Sequence, residues 1–346
     1  MHNFKKAILS TISFILIFAV ISILVIVPYW NSEVDYFQDS QLREDLAGQI
    51  DCIVIGASHA LTAFDTNIID EKLGCFSYNL SGSMMTLDSK YYFLKKELER
   101  NPVETVIIEI SYDTLGRNES NEYGIGDEVT ISRLDSTSER LSYLAKYVSI
   151  DDWLNLYSRH FISSLASYTD VLRGQDVCNV DKTKKGYNPA SASNLSLSPE
   201  SAKSKFNSMQ CSANYLDENV AKLNKLVNLC KMHNVRIIFV VTPLSNSLLW
   251  SMDGLDNFQN WLHDYSQIIG CEVYDLNLLK NYYSLFSDEH SFRDADHIGG
   301  IGSETFSIAL CDLIQRTNEG QTVSDEFYDS YTSLKLDSPY MQYIEP

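Results

Sequence analysis

Basic residues are scarce in this chain of 346 residues, in which 27 lysines and arginines stand against 46 aspartates and glutamates, for a net charge of −19. Nucleic-acid binding depends on basic side chains that replace phosphate counterions, so this composition excludes that class of protein. The same deficit argues against strong electrostatic capture of an anionic polymer. The acidity bears mainly on solubility, and the chain has no internal repeats.

Metal-ligand spacing is also missing, because no group of His, Cys and Asp residues follows the pattern of a metal site. We therefore expect neither a metal nor a cofactor. The seven cysteines are an odd number, which argues against a complete disulfide framework. Cysteines on predicted strands or apolar helix faces are interpreted as buried thiols, namely Cys52, Cys75, Cys230 and Cys311. Cys178 and Cys211 flank a polar segment and are the pair that we would join most readily.

A long apolar run at residues 7–27 follows Lys5 and Lys6 near the N-terminus. About 20 apolar residues match the hydrocarbon core of a bilayer, so the run predicts a transmembrane helix with Tyr29 and Trp30 at its interface. Because basic flanks stay in the cytoplasm, the first 30 residues would form a cytoplasmic stub and an anchor, with the remainder extracellular. A cleaved signal peptide is the alternative, although no small-residue cleavage site follows the run.

Beyond a polar stalk at residues 31–48, apolar strand patterns alternate with amphipathic helix patterns. The predicted strands lie at residues 51–55, 75–80, 105–110, 235–242 and 271–276. Such alternation implies a parallel sheet covered on both faces, so residues 49–316 predict a three-layer α/β/α domain. The alternation fails in an insertion at about residues 116–212, where 133–157 predicts a helix and 182–204 a mobile loop. Residues 317–346 are interpreted as a polar C-terminal tail.

Two short strings contain the residue types of nucleophilic catalysis: VIGASHA at residues 54–60 and DADHIGGIG at residues 294–302. The first turns sharply after a predicted strand and presents Ser58, and the second places Asp294 three residues before His297. A serine hydroxyl becomes a good nucleophile when an imidazole takes its proton, and a carboxylate fixes the tautomer of that imidazole. Parallel sheets bind ligands at the carboxyl ends of their strands, where Ser58 lies. The strings therefore predict a serine acyl-transfer site.

At these residues the chain resembles the SGNH (GDSL-like) hydrolase superfamily. The similarity is greatest to membrane-anchored members that modify bacterial surface polysaccharides, such as teichoic-acid D-alanyl transfer and alginate O-acetyltransferase proteins. The matching segments are residues 54–65, 77–85, 105–111, 239–244 and 294–302. The resemblance implies a flavodoxin-like fold, with Ser58 as nucleophile, His297 as general base and Asp294 as its orienting carboxylate. It also implies an oxyanion hole made by the backbone N–H groups of Ser58 and Gly82.

The chain departs from the superfamily where a Gly-x-Asn-Asp block normally supplies a third oxyanion donor. Here residues 109–113 read EISYD, and the first asparagine after them is Asn118. Ser111, Tyr112 and Asn118 are the candidates for that donor, and the sequence leaves the choice among them open.

Each site residue also has a purely structural interpretation. Ser58 could cap a helix, Asp296 could replace Asp294 as the partner of His297, and Gly82 could serve only to permit a turn. His59 is interpreted as structural or substrate-contacting, and His290 is a weaker rival for the role of base.

The combined expectation is a membrane-anchored, extracytoplasmic serine esterase or O-acyltransferase that works through an acyl-serine intermediate and without a cofactor. Its partners would be a cell-surface glycan or acylated polymer, with a multi-pass membrane acyltransferase as a further candidate. The alternative, motivated by the missing asparagine, is a catalytically silent glycan-binding or scaffold subunit of a surface-polymer modification complex.

Overall fold

Five parallel strands form the central sheet. In the computed structural model they are β1 (Cys52–Ile55), β2 (Ser77–Asn79), β3 (Thr105–Glu109), β4 (Arg236–Val241) and β5 (Glu272–Asp275). Their order across the sheet is β2-β1-β3-β4-β5, and every neighbouring pair is parallel. This is the strand order of flavodoxin-like folds. The α/β architecture with a parallel sheet that the sequence predicts is confirmed.

The structure describes residues 2–30, 34–116, 125–149, 152, 181–193, 217–287 and 290–338. Asn118, Cys178 and Cys211 lie outside these ranges. In chain order, the helices are α1 (His2–Trp30), α2 (Val34–Asp45), α3 (Ser58–Ala63), α4 (Thr66–Leu73), α5 (Leu87–Arg100), α6 (Tyr112–Gly116), α7 (Ile125–Ser132), α8 (Thr137–Tyr147), α9 (Asp217–Met232), α10 (Asn246–Ser251), α11 (Leu255–Ile269), α12 (Tyr282–Leu285), α13 (Ile301–Asn318) and α14 (Tyr331–Leu336). Short 3₁₀ turns lie at Lys182–Lys184, Leu276–Leu278 and Ser324–Glu326.

Apolar side chains cover both faces of the sheet. The strands β1 and β2 are buried along their whole length, and only the first residue of β3 and of β4 is partly exposed. Strands buried on both faces read as nearly continuous apolar runs, which is why the sequence reveals them. Each strand is shorter than the apolar run that predicts it. For example, β4 ends at Val241, two residues before Pro243, which has no N–H to donate to a neighbouring strand.

The chain divides into two compact units, residues 1–45 with 123–181 and residues 46–122 with 182–346. In the first unit the predicted polar stalk contains α2, whose Arg43 is buried. Arg43 Nε lies 3.1 Å from Asp39 Oδ2, and Arg43 Nη2 donates to Arg133 O at 2.8 Å. Among the described residues, no helix combines the length and the apolar character that crossing a membrane requires.

The helix predicted over residues 133–157 is confirmed in part, since α8 spans Thr137–Tyr147. It begins later than predicted, after a break that separates it from α7, which ends at Ser132. The break has a local cause, because the Ser136 hydroxyl accepts a hydrogen bond from Glu139 N at 3.2 Å and so caps a new helix.

The C-terminal residues up to 338 include a helix that packs in the second unit. In α14, Tyr331 and Leu334 are buried, and the Tyr331 hydroxyl donates to Asp275 Oδ2 at 2.6 Å. Burial raises the pKa of Asp275 to about 6, although hydrogen bonds from Tyr331 and Asn277 work in the opposite direction. The folded protein therefore holds this proton more tightly than the unfolded chain does. The resulting stabilisation is complete below the ordinary pKa of 3.8 and is lost as the pH rises through about 6.

Candidate active site

The turn between β1 and α3 presents Ser58 at the carboxyl edge of the sheet. Ser58 is the first residue of α3, and the N-cap position belongs to Ala57, which makes no side-chain capping bond. The Ser58 hydroxyl instead lies 2.8 Å from His297 Nε2. The helix-capping interpretation of this serine is therefore wrong, and its Oγ faces an imidazole that can accept its proton.

A tight loop between α12 and α13 carries the other two sequence-predicted residues. His297 Nδ1 lies 2.8 Å from Asp294 Oδ1, and the same oxygen accepts the backbone N–H of His297 at 2.9 Å. Phe292 and Ile298 close the loop through an antiparallel bridge. Ser58, His297 and Asp294 thus lie in one hydrogen-bonded line, although 239 sequence positions separate the serine from the histidine. This arrangement can deprotonate the hydroxyl and stabilise the imidazolium that forms.

Asp296 lies beside the same imidazole, so both aspartates of the DADH string contact His297. Asp296 Oδ1 is 3.1 Å from His297 Nδ1, slightly farther than Asp294 Oδ1. Burial lowers the pKa of His297, but the Asp294 and Asp296 carboxylates raise it above its ordinary value. The sequence leaves open whether Asp294 or Asp296 is the partner of His297. In the structure both carboxylates lie near His297 Nδ1.

Gly82 follows β2 and is buried. Because β2 pairs directly with β1, the loop that carries Gly82 leaves the sheet at the same edge as the Ser58 turn. Asn79, the last residue of β2, links the two: its Nδ2 donates to Ala60 O at 2.9 Å, and its Oδ1 accepts from Ser81 N at 3.1 Å. The only local feature that marks Asn79 in the sequence is its position at the end of a predicted strand.

The candidates for the third oxyanion donor have different positions. The Ser111 hydroxyl pairs with the Thr114 hydroxyl at 3.0 Å, and Ser111 N donates to Thr114 Oγ1 at 3.1 Å, so its hydrogen bonds close the first turn of α6. Tyr112 begins α6 and is buried. Asn118 lies outside the described residues. The identity of this donor stays a prediction.

His59 and Glu109 lie behind the Ser58–His297 pair. The sequence assigns neither of them a catalytic role. Both are buried, and His59 stacks at a tilt against His297 with 4.7 Å between ring centroids. The register of β1 with β3 sets Ile55 opposite Ile108, so Glu109 falls beside the Gly56 turn. A polar residue that ends an otherwise apolar strand was the available signal for Glu109. The rival base His290, in contrast, is exposed.

His59, Asp296 and His297 bring potential metal-binding atoms within 4.8 Å of one another, a grouping that sequence spacing did not reveal. The fit to a metal is poor, because His297 Nε2 is engaged with Ser58 and His297 Nδ1 with Asp294. A metal ion on either nitrogen would displace one of these hydrogen bonds. The group is better described as a network of ion pairs than as a set of metal ligands.

A segment of the predicted insertion braces the His297 loop. The polar sequence from residue 182 predicts a mobile loop, yet residues 182–193 make specific backbone hydrogen bonds. Asn188 N donates to Leu61 O on α3 at 3.0 Å, and Gly300 N donates to Ala190 O at 2.7 Å. Ser193 N donates to Phe292 O at 2.8 Å. The segment therefore links the helix that carries Ser58 to the loop that carries His297.

We expect Gly56→Ala to destabilise the fold by about 1–3 kcal/mol, the usual effect of overpacking, and to slow reactions at Ser58. A Cβ at position 56 would lie 2.4 Å from Ala60 Cβ and 2.7 Å from Glu109 Oε2, both well inside contact distance. Gly74→Ala is the control, because a Cβ there meets nothing within 4 Å and only the positive φ of 66° opposes it. Chemical denaturation measures the effect, and an unchanged unfolding midpoint for Gly56→Ala would contradict the steric argument.

Comparisons with known proteins find no matching protein-family model and no matching curated protein. Among solved structures, the chain is similar to a putative acylhydrolase from Bacteroides fragilis, with 10% identity, a TM-score of 0.38 and coverage of 81% of this chain and 94% of that chain. It is also similar to a putative platelet activating factor from Streptococcus pneumoniae, with 10% identity, a TM-score of 0.37 and coverage of 82% and 92%. At TM-scores this low, the two similarities do not identify a function.

Proposed function

We propose that this protein is a serine esterase or O-acyltransferase of the SGNH type that works through an acyl-serine intermediate. One observation carries the proposal: Ser58 Oγ lies 2.8 Å from His297 Nε2, while His297 Nδ1 lies 2.8 Å from Asp294. Nucleophile, base and orienting carboxylate then stand in the relation that acyl transfer needs.

In the proposed reaction, Ser58 Oγ bonds to the acyl carbon as its proton moves to His297 Nε2. Asp294 stabilises the resulting imidazolium through Nδ1. Backbone N–H groups of Ser58 and Gly82 would receive the negative charge that develops on the acyl oxygen. His297 then gives its proton to the departing alcohol oxygen. Water or a sugar hydroxyl attacks the acyl-serine in the second half, with His297 again as base, which yields an acid or a new ester.

We further propose that the site acts outside the cytoplasm on a cell-surface glycan or acylated polymer. The support is the apolar run at residues 7–27 behind Lys5 and Lys6, which favours a single-pass anchor with a cytoplasmic N-terminus. A tether at the membrane would keep Ser58 near a membrane-borne acyl donor, such as one supplied by a multi-pass acyltransferase. The resemblance of residues 54–65 and 294–302 to polysaccharide-modifying SGNH proteins favours the same substrate class.

The direct test is covalent labelling of the full-length protein in detergent with a fluorophosphonate probe. Ser58 Oγ should displace fluoride from phosphorus and give one stable adduct, because an activated serine reacts far faster than ordinary serines in the same chain. Intact-mass measurement followed by peptide mapping should locate the adduct at Ser58. Turnover of p-nitrophenyl acetate provides a second readout. A protein with neither an adduct nor turnover would contradict the proposal and favour the silent scaffold subunit instead.

A further inference from the structure

A series of charged side chains runs behind the Ser58–His297 pair, buried at Glu109 and His59 and half-buried at Asp296. Glu109, at the end of β3, has Oε1 3.6 Å from His59 Nδ1. The opposite ring nitrogen, His59 Nε2, lies 3.5 Å from Asp296 Oδ2. The other oxygen of Asp296 lies 3.1 Å from His297 Nδ1. His59 therefore occupies the space between two carboxylates, at distances typical of ion pairs rather than of short hydrogen bonds.

The neighbours of the two carboxylates that flank His59 favour the ionised form of each. Burial raises the pKa of Glu109, but the facing His59 imidazole, the Lys90 ammonium and the Ala57 N–H together lower it below its ordinary value. Burial also raises the pKa of Asp296, and its contacts with His297 and His59 lower it below its ordinary value. A buried anion such as Glu109 needs nearby compensating charge.

The His59 side chain is suited to supply that charge. A neutral imidazole has one N–H, and its second nitrogen would direct a lone pair at a carboxylate, whereas an imidazolium has an N–H on both sides. We propose that Glu109 and His59 are positioning residues: Glu109 holds His59 as a cation, and His59 holds Asp296 against His297. This inference rests on the proposed function, since it gives the pair a part in acyl transfer only if His297 is the base.

Glu109 contacts both halves of the site. Its Oε2 accepts a hydrogen bond from Ala57 N at 3.2 Å, directly before Ser58, while its Oε1 faces His59. Asp294, in contrast, belongs to the same loop as His297, and its side chain is 42% exposed. The series from Glu109 through His59 and Asp296 therefore ties His297 to the central sheet, and Asp294 ties it only to its own loop.

The pKa of His297 should report the charge on His59. Burial lowers the pKa of His297, the two aspartates raise it, and the charge of His59, 4.7 Å away between ring centroids, lowers it. Loss of the His59 charge should therefore raise the pKa of His297. The charged and titratable groups around this imidazole are Asp294, Asp296 and the neighbouring Arg293 on its own loop, Ser58 and His59 on α3, and, behind His59, Glu109 on β3 and Lys90 on α5.

The test measures kcat and KM for p-nitrophenyl acetate between about pH 5 and 9, with the full-length protein in detergent. His59→Gln and Glu109→Gln should each lower kcat by about 10- to 100-fold, the scale of a misplaced catalytic group, with little change in KM. His59→Gln should also move the acidic limb of kcat/KM to higher pH. The matched controls are His233→Gln, at an exposed position, and Glu97→Gln, a buried carboxylate that binds Arg100 and Asn101. Both controls should keep the wild-type profile.

A double-mutant cycle then identifies the route of the effect. If His59 acts through Asp296, the His59→Gln/Asp296→Asn double variant should be no less active than Asp296→Asn alone. Additive losses, or an acidic limb that stays in place in His59→Gln, would overturn the positioning role. If Glu109→Gln fails to fold, the His59 cycle decides alone. An active wild type whose His59 variant behaves like the controls overturns this inference only, whereas a wild type without turnover or adduct overturns the proposed function as well.

Discussion

Ser58→Ala should abolish fluorophosphonate labelling and lower p-nitrophenyl acetate turnover by about 10³-fold or more, the scale expected when a nucleophile is removed. The fold should survive the change. Ser58 Oγ makes its hydrogen bond with His297 and caps no helix, so the variant loses about 1 kcal/mol of stability at most. Loss of labelling can then be assigned to the missing nucleophile, with circular dichroism and thermal unfolding as the checks on folding.

Ser330→Ala is the matched control for that experiment. Ser330 does cap a helix, since its hydroxyl accepts a hydrogen bond from Ser333 N at 3.0 Å. Its loss should cost about 1 kcal/mol of stability and leave the labelling rate unchanged. The two variants should therefore have similar stability and differ in labelling, which separates the loss of the nucleophile from a general loss of stability. An adduct of equal yield in Ser58→Ala would show that another serine reacts.

His297→Gln should lower the rate of Ser58 acylation by about 10²- to 10⁴-fold, the contribution of general-base catalysis. A glutamine amide can still hydrogen-bond the hydroxyl but cannot take its proton at neutral pH. Because the wild-type imidazole has a raised pKa, wild-type activity should fall as the pH drops through a value above 6.5, the ordinary pKa. The variant should lose that acidic limb. Single-turnover labelling measured across pH separates this effect from weaker substrate binding.

His290→Gln is the control for the base, because His290 belongs to the same stretch of chain and is exposed. Its labelling rate and pH profile should match the wild type. Equal losses in His290→Gln and His297→Gln would contradict the assignment of His297 as the base. A stability loss is expected only for His297→Gln, since it leaves Asp294 and Asp296 facing each other without the imidazole between them.

Much of the fold could be predicted because burial leaves a local pattern in the sequence. A strand covered on both faces is an apolar run, and a helix with one buried face repeats every three to four residues. The five strands therefore appear in the sequence, although their ends differ by one or two residues. The helix predicted over residues 133–157 begins only at Thr137, because the side chain of Ser136 caps the N-terminus of α8.

The parallel α/β architecture and the candidates Ser58, Asp294 and His297 could be read from the sequence, because apolar runs and turn residues leave local patterns in the chain. The surroundings of these three residues depend on tertiary packing. The register that sets Ile55 opposite Ile108 brings Glu109 beside the Ser58 turn, and the packing of a distant loop brings Asp296 to His59. No local sequence pattern encodes these contacts, because they depend on how strands and loops far apart in the chain align. The serine, aspartate and histidine can therefore be found from sequence motifs, whereas the charged network behind them forms only when the chain folds.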